Sequence, residues 1–173
     1  FVECPPLDRD VVRRRGQPKI ADVKQGLATA DDYRFTRFWW EVPVEQIATS
    51  RKETFEGKKW VPFANEVLLL YFFADVQRVV NWAKGGEEIK SYISERYPYL
   101  NGKWEWVVKN ESFYFREGLT WSVSISKSQL KRVREIQRIP FRIMPRGSIF
   151  GVAAQGVFSS AENVWALLAV CCS

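Results

Sequence analysis

The chain is 173 residues long, 46% apolar and 15% aromatic, which provides for one sizeable core and excludes a disordered, highly charged segment. A formal charge of +6 and a pI near 9.3 suit an anionic partner such as nucleic acid, although basic balance alone fits many unrelated proteins. The absence of histidine removes the side chain most used for acid-base work near neutral pH, for catalytic triads and for catalytic zinc.

Residues 1–18 place Pro5, Pro6 and Pro18 around Arg13, Arg14 and Arg15 and read as a basic arm or solvated linker, with residues 19–173 as one domain. Ile20 to Thr29 predicts a strand running into a loop at Gly26. Tyr33 to Val42 predicts a further strand, and its Phe38, Trp39 and Trp40 are too apolar to all face water. Trp60 to Phe63, Leu68 to Phe73 and Gln77 to Trp82 read as short β-prone runs, with a buried helix around Val67 to Phe73 as the alternative. Glu87 to Arg96 carries Ile89, Tyr92 and Ile93 at helical spacing, and Tyr97-Pro98 ends that helix.

Trp104 to Val108, Phe113 to Phe115 and Leu119 to Ile125 read as strands, with Gly118 as a turn or bulge. Lys127 to Arg138 predicts an amphipathic helix on Leu130, Val133 and Ile136 with a basic outer face. Phe141 to Met144, Ile149 to Val152 and Gly156 to Phe158 return to strand character, and Ser160 caps a final helix from Glu162 to Cys172. The expected fold class is α+β: a mixed, mainly antiparallel sheet core with a few packed helices. The chain stops inside the final apolar helix, which reads as a C-terminal truncation.

Cys4, Cys171 and Cys172 have no metal-ligand spacing and read as free thiols in a reducing cytoplasm. The longest apolar runs, Val67 to Ala74 and Val164 to Cys172, are too short to cross a bilayer, so no membrane partner is expected. There is no Walker loop, Gly-x-Gly-x-x-Gly turn or CxxC pair, and Gly85-Gly86 reads as a simple turn. Glu88-Ile-Lys90, with Asp75 upstream, has the E-x-K form of a metal-dependent nuclease. On a helix, however, Glu88 and Lys90 do not face one metal together. Lys127, Lys131, Arg132, Arg134, Arg138, Arg142 and Arg146 face only Glu135, a charge run that serves either as a phosphate-binding surface or as a solvated face.

GLATADDYRFTRFWWEV, Gly26 to Val42, resembles the opening of the recognition region in large adenine-specific DNA methyltransferases of restriction-modification and BREX phage-defence systems. The family's wording there is close to G-L-x-T-G-D-N-x-R-F-x-R-x-W-W-E-V. KKWVPFA (Lys58 to Ala64), RVVNWAKGGEEIK (Arg78 to Lys90), FYFREGLTWS (Phe113 to Ser122) and PRGSIFGVAAQGVF (Pro145 to Phe158) resemble its later blocks, in the same order. Departures fall inside the blocks: Ala30 stands where the family has glycine, and NEVLLLYFF (Asn65 to Phe73) replaces a glycine-rich polar turn.

The resemblance implies a TaqI-like C-terminal specificity region, which grips double-stranded DNA beside a catalytic domain that is missing here. It implies that S-adenosylmethionine and the Asn-Pro-Pro-Tyr motif belong to that domain, so no catalytic residue, cofactor site or metal is expected in this chain. The implied DNA-facing groups are Arg34, Arg37, Lys58, Lys59, Arg116, Thr120 and the basic segment Lys127, Lys131, Arg132, Arg134, Arg138 and Arg142. The rival for Arg116 is an ion pair with Glu41 or Glu117, and Trp39, Trp40, Trp82 and Trp121 are expected in or near the core. Two other functions compete: a fragment that docks on the missing domain through Val67 to Phe73 and the final helix, and a metal-dependent nuclease.

Overall fold

The computed structural model describes residues 21–65, 75–122, 141–159 and 164–172. The basic arm at 1–18, most of the Asn65 to Phe73 segment, the helix expected over Lys127 to Arg138 and the Ser160 cap lie outside these residues. In chain order the elements are β1 (Ala21–Lys24), α1 (Asp32–Phe35), β2 (Thr36–Phe38), α2 (Arg51–Phe55), β3 (Trp60–Ala64) and β4 (Arg78–Asn81). They continue with α3 (Glu87–Arg96), β5 (Gly118–Ser122), β6 (Arg142–Met144), β7 (Ile149–Phe150), β8 (Ala154–Ser159) and α4 (Val164–Cys172).

Two four-stranded sheets result, ordered β1-β8-β5-β6 and β2-β4-β3-β7. Every neighbouring pair is antiparallel except β3 with β7. The fold is therefore α+β and mainly antiparallel, as the alternating runs predict. In β3 the period of two is visible directly: Val61 and Phe63 are buried, while Trp60 and Pro62 are partly exposed. In α3 the buried pair is Ile89 and Ile93, four apart, and the helix ends at Tyr97 before Pro98 as expected.

The larger core gathers Leu27, Phe35, Val61, Phe63, Trp82, Ile89, Ile93 and Phe150, and so joins α1, β3, α3 and β7. A smaller cluster of Leu119, Ile143, Val157, Val164 and Leu168 packs α4 on the first sheet. The two sheets are stitched at Gly26 and Leu27. Leu27 N–H donates to Phe150 O at 2.9 Å, and Val152 N–H donates to Leu27 O at 3.1 Å. A Cβ on Gly26 would lie 1.9 Å from that same Phe150 oxygen, so only glycine allows the approach.

Three segments differ from the sequence expectation. Tyr33 to Val42 is not one strand but the short helix α1, the three residues of β2 and a 3-10 turn at Trp39–Glu41. Asp31 initiates it by accepting the Arg34 N–H at 3.0 Å, a local cap that outweighs the aromatic, strand-like composition. Trp104 to Val108 and Phe113 to Phe115 contain 3-10 turns, Trp104–Trp106 and Glu111–Phe113, where strands were expected. Asn101 (φ 49°) and Asn110 (φ 54°) adopt left-handed backbone ahead of these turns, and Val107 N–H bonds to Trp104 O at 2.9 Å. Gly118 is neither turn nor bulge: it lies within β5 opposite Met144, where a Cβ would meet Val157 O at 2.6 Å. Gly85 (φ 70°) and Gly86 (φ 80°) do form the turn expected of them.

Candidate nucleic-acid interface

Among the described residues β2 is an edge strand of the second sheet, and its geometry follows from the cap that precedes it. Thr29 donates its hydroxyl to Asp32, and Asp31 caps α1, so Arg34 and Arg37 emerge one turn apart. Ala30, in the position where the resembled family has glycine, holds φ 62° in this turn. The Arg37 guanidinium is fixed by donating to Tyr33 O at 2.7 Å and Thr36 O at 2.6 Å, and it lies 6.0 Å from the Trp60 ring centre. Lys59 Nζ lies 5.4 Å from the same ring, so Trp60 has a cation from β2 and another from the start of β3 beside it.

On the other side of these strands Phe38 pairs in register with Arg78, whose guanidinium stands 5.3 Å from the Phe38 ring. Both Arg37 and Arg78 line one depression of about 480 Å³ along the β2 edge, together with Tyr33, Thr36 and Phe38. Asp32 and Glu41 line it too, as carboxylates that accept from the Thr29 hydroxyl and from the Phe38 N–H at 2.7 Å respectively. Among the described residues Arg37, Lys59 and Arg78 form no ion pair. Arg34, Arg51, Lys52, Lys58, Lys84 and Lys90 each have a carboxylate within 4.0 Å. Cations left without carboxylates are the ones whose charge is available to an anionic ligand.

The remaining sequence-derived residues are distributed as follows. Arg34 is exposed but pairs with Glu88 at 3.3 Å, and Glu88 also accepts from the buried Asn81 at 2.6 Å. Lys58 is tied to Glu53 at 3.3 Å. The Thr49 N–H, donating to Glu53 at 2.8 Å, holds that carboxyl below its ordinary range, and Lys58 adds to the effect. Arg116 is exposed at the entrance to β5 in the other sheet, over Phe113 at 5.1 Å and Phe158 at 5.7 Å, without the ion pair to Glu41 or Glu117 that was the alternative.

Thr120 and Arg142 face each other across β5 and β6 and are 2% and 4% exposed, so neither side chain reaches solvent, contrary to the expectation for both. Lys127, Lys131, Arg132, Arg134 and Arg138 lie outside the described residues. The geometry therefore brings together Arg37 and Lys59, leaves Arg34 and Lys58 nearby but paired, and places Arg116 on the other sheet. It also adds Arg78, which sequence reasoning did not select. The available signal was positional, because Arg78 opens a matched block at the end of a strand.

The aromatic residues divide differently from expectation. Trp82 is fully buried against Tyr114, whose hydroxyl donates to Lys109 O at 2.9 Å and is pushed up from its ordinary pKa chiefly by burial. Trp121 is partly buried beside Phe141. Trp39 and Trp40, however, are 46% and 56% exposed, since the 3-10 turn after β2 lifts both away from the core. Leaving half of a tryptophan in water forgoes roughly 2–3 kcal/mol of burial per ring.

The E-x-K pair does not converge. Glu88 turns to Arg34 and Asn81, whereas Lys90 pairs with Glu111 at 3.0 Å and lies 4.3 Å from the Trp104 ring. Among the described residues no three metal-ligating side chains meet, and no helix is long and apolar enough to cross a membrane.

No protein-family model matches the chain. It is 27% identical over 151 residues to the adenine-specific methyltransferase PglX of Lacticaseibacillus casei (strain Zhang). That similarity covers 86% of this chain but only 11% of the relative, so the chain spans about a tenth of that protein's length. Most of this chain is thus related to one region of an adenine-specific methyltransferase.

Proposed function

We propose that this chain is the target-recognition portion of an adenine-specific DNA methyltransferase, gripping double-stranded DNA while a separate catalytic domain binds S-adenosylmethionine and transfers the methyl group. The similarity to PglX over 86% of the chain carries this reading, because a segment covering 11% of so large an enzyme need not contain its catalytic machinery. The cations Arg37, Lys59 and Arg78 support it: they lie beside Trp60 and Phe38, Arg37 is fixed by two backbone carbonyls, and none has a carboxylate partner among the described residues. Fixed cations meet phosphates without first having to break an ion pair or order a long side chain. Arg116 extends the surface to the other sheet, as a candidate for phosphate or guanine. In this reading the catalytic domain docks elsewhere, with Trp165, 66% exposed on α4, as a contact for it.

Fluorescence anisotropy of a labelled duplex, titrated with the protein at rising salt, tests the proposal. Affinity that falls steeply with salt supports duplex recognition. Affinity that is absent, or indifferent to salt, overturns it in favour of an apolar docking fragment.

A further inference from the structure

Phe38 and Trp40 stack face to face, with ring centres 4.6 Å apart and planes within 6° of parallel. Arg78 lies over Phe38, and Trp39 meets Trp40 at 84°, so a cation and three rings form one ordered group at the end of β2. The group is held by backbone contacts. The Trp39 N–H donates to Gln77 O at 2.9 Å, and the Phe38 N–H donates to the Glu41 carboxylate at 2.7 Å. Trp40 nevertheless remains 56% exposed, and the neighbouring cations Arg37 and Arg78 have no carboxylate partner among the described residues.

We infer that Trp40 is a stacking platform for an unpaired base of a polynucleotide strand whose phosphates are held by Arg37 and Arg78. The inference rests on the nucleic-acid reading above and narrows it. A fully paired duplex presents its phosphates and base edges but keeps its base faces stacked on one another. A flat, rigid indole set beside cations complements a base whose face is free, and base-on-aromatic stacking is tolerant of sequence. The phosphate chemistry accounts for Arg37 and Arg78, and the free base face accounts for Trp40, which duplex recognition alone leaves without a role.

Two labelled DNAs with equal numbers of phosphates decide the matter: a blunt duplex, and a shorter duplex carrying a single-stranded thymidine tail. The full chain binds the tailed DNA about tenfold more tightly, with quenching of its tryptophan fluorescence. Trp40→Ala removes both effects, and Trp40→Phe retains the preference. Circular dichroism checks that the variants fold, and the tail preference and quenching of the unmodified chain test the idea without any variant. Equal, salt-sensitive binding of the two DNAs overturns this inference and leaves the duplex reading standing. Binding to neither overturns both.

Discussion

Replacing Arg37, Lys59 and Arg78 together with glutamine probes the β2 edge most directly. All three are exposed or half-buried; they make ring contacts at 6.0, 5.4 and 5.3 Å, and Arg37 also donates to Tyr33 O and Thr36 O. At about 0.5–1 kcal/mol for each ring contact and about 1 kcal/mol for each hydrogen bond, the variant loses about 4 kcal/mol from a total of about 5–15 kcal/mol, and circular dichroism checks that it stays folded. If each cation neutralises one phosphate, the slope of log affinity against log salt becomes shallower by about 2.7, at roughly 0.9 per contact. Between about 50 and 200 mM salt these three contacts account for about a 40-fold loss of affinity in the parent chain, which the variant is spared. Anisotropy titrations of one duplex across that range measure both slopes. Arg51→Gln, Lys52→Gln and Lys84→Gln together form the control: they remove the same net charge from residues paired to Glu111, Glu56 and Glu87. An unchanged slope in the first variant, or an equal change in the control, would falsify the assignment of DNA contact to this edge.

Gly26→Ala forces a methyl group into Phe150 O and breaks the stitch between the sheets; a loss of about 3–5 kcal/mol in urea unfolding is expected, from overpacking plus two hydrogen bonds. Ala30→Gly relieves the φ of 62° and is expected to stabilise by about 0.5–1 kcal/mol, a rise in Tm of about 1–3 °C. Ala28→Gly, two residues earlier and without left-handed backbone, lowers Tm, and the absence of this contrast contradicts the assigned turn. Because Glu53's folded pKa is lowered, the stability it contributes is present above the unfolded carboxylate range and is lost as pH falls through the folded value. The stability difference between the parent chain and Glu53→Gln is therefore present at neutral pH and closes in acid below pH 4.5. A gap that persists in strong acid assigns the effect to packing instead.

The elements governed by short-range periodicity were legible in the chain itself. Helix α3 occupies Glu87–Arg96 as its apolar spacing predicts, β4 and β6 fall within their runs, and β3 extends one residue past its run to Ala64. The aromatic segments misled, because composition does not reveal a backbone cap or a left-handed residue: Asp31, Asn101 and Asn110 turn apparent strands into helix and 3-10 turns. Candidate cations could be recognised by type but not by availability. Whether an arginine is buried like Arg142, paired like Arg34 or, among the described residues, without a carboxylate like Arg37 depends on strands and helices distant in sequence. The order of residues thus determined where most strands and the long helix form, through periodicities that act within a few residues. Only the tertiary fold decided that β2 is an edge strand among the described residues and that Trp39 and Trp40, in the turn after it, stay half exposed, because pairing between distant strands sets which polar groups are compensated and which rings remain in water.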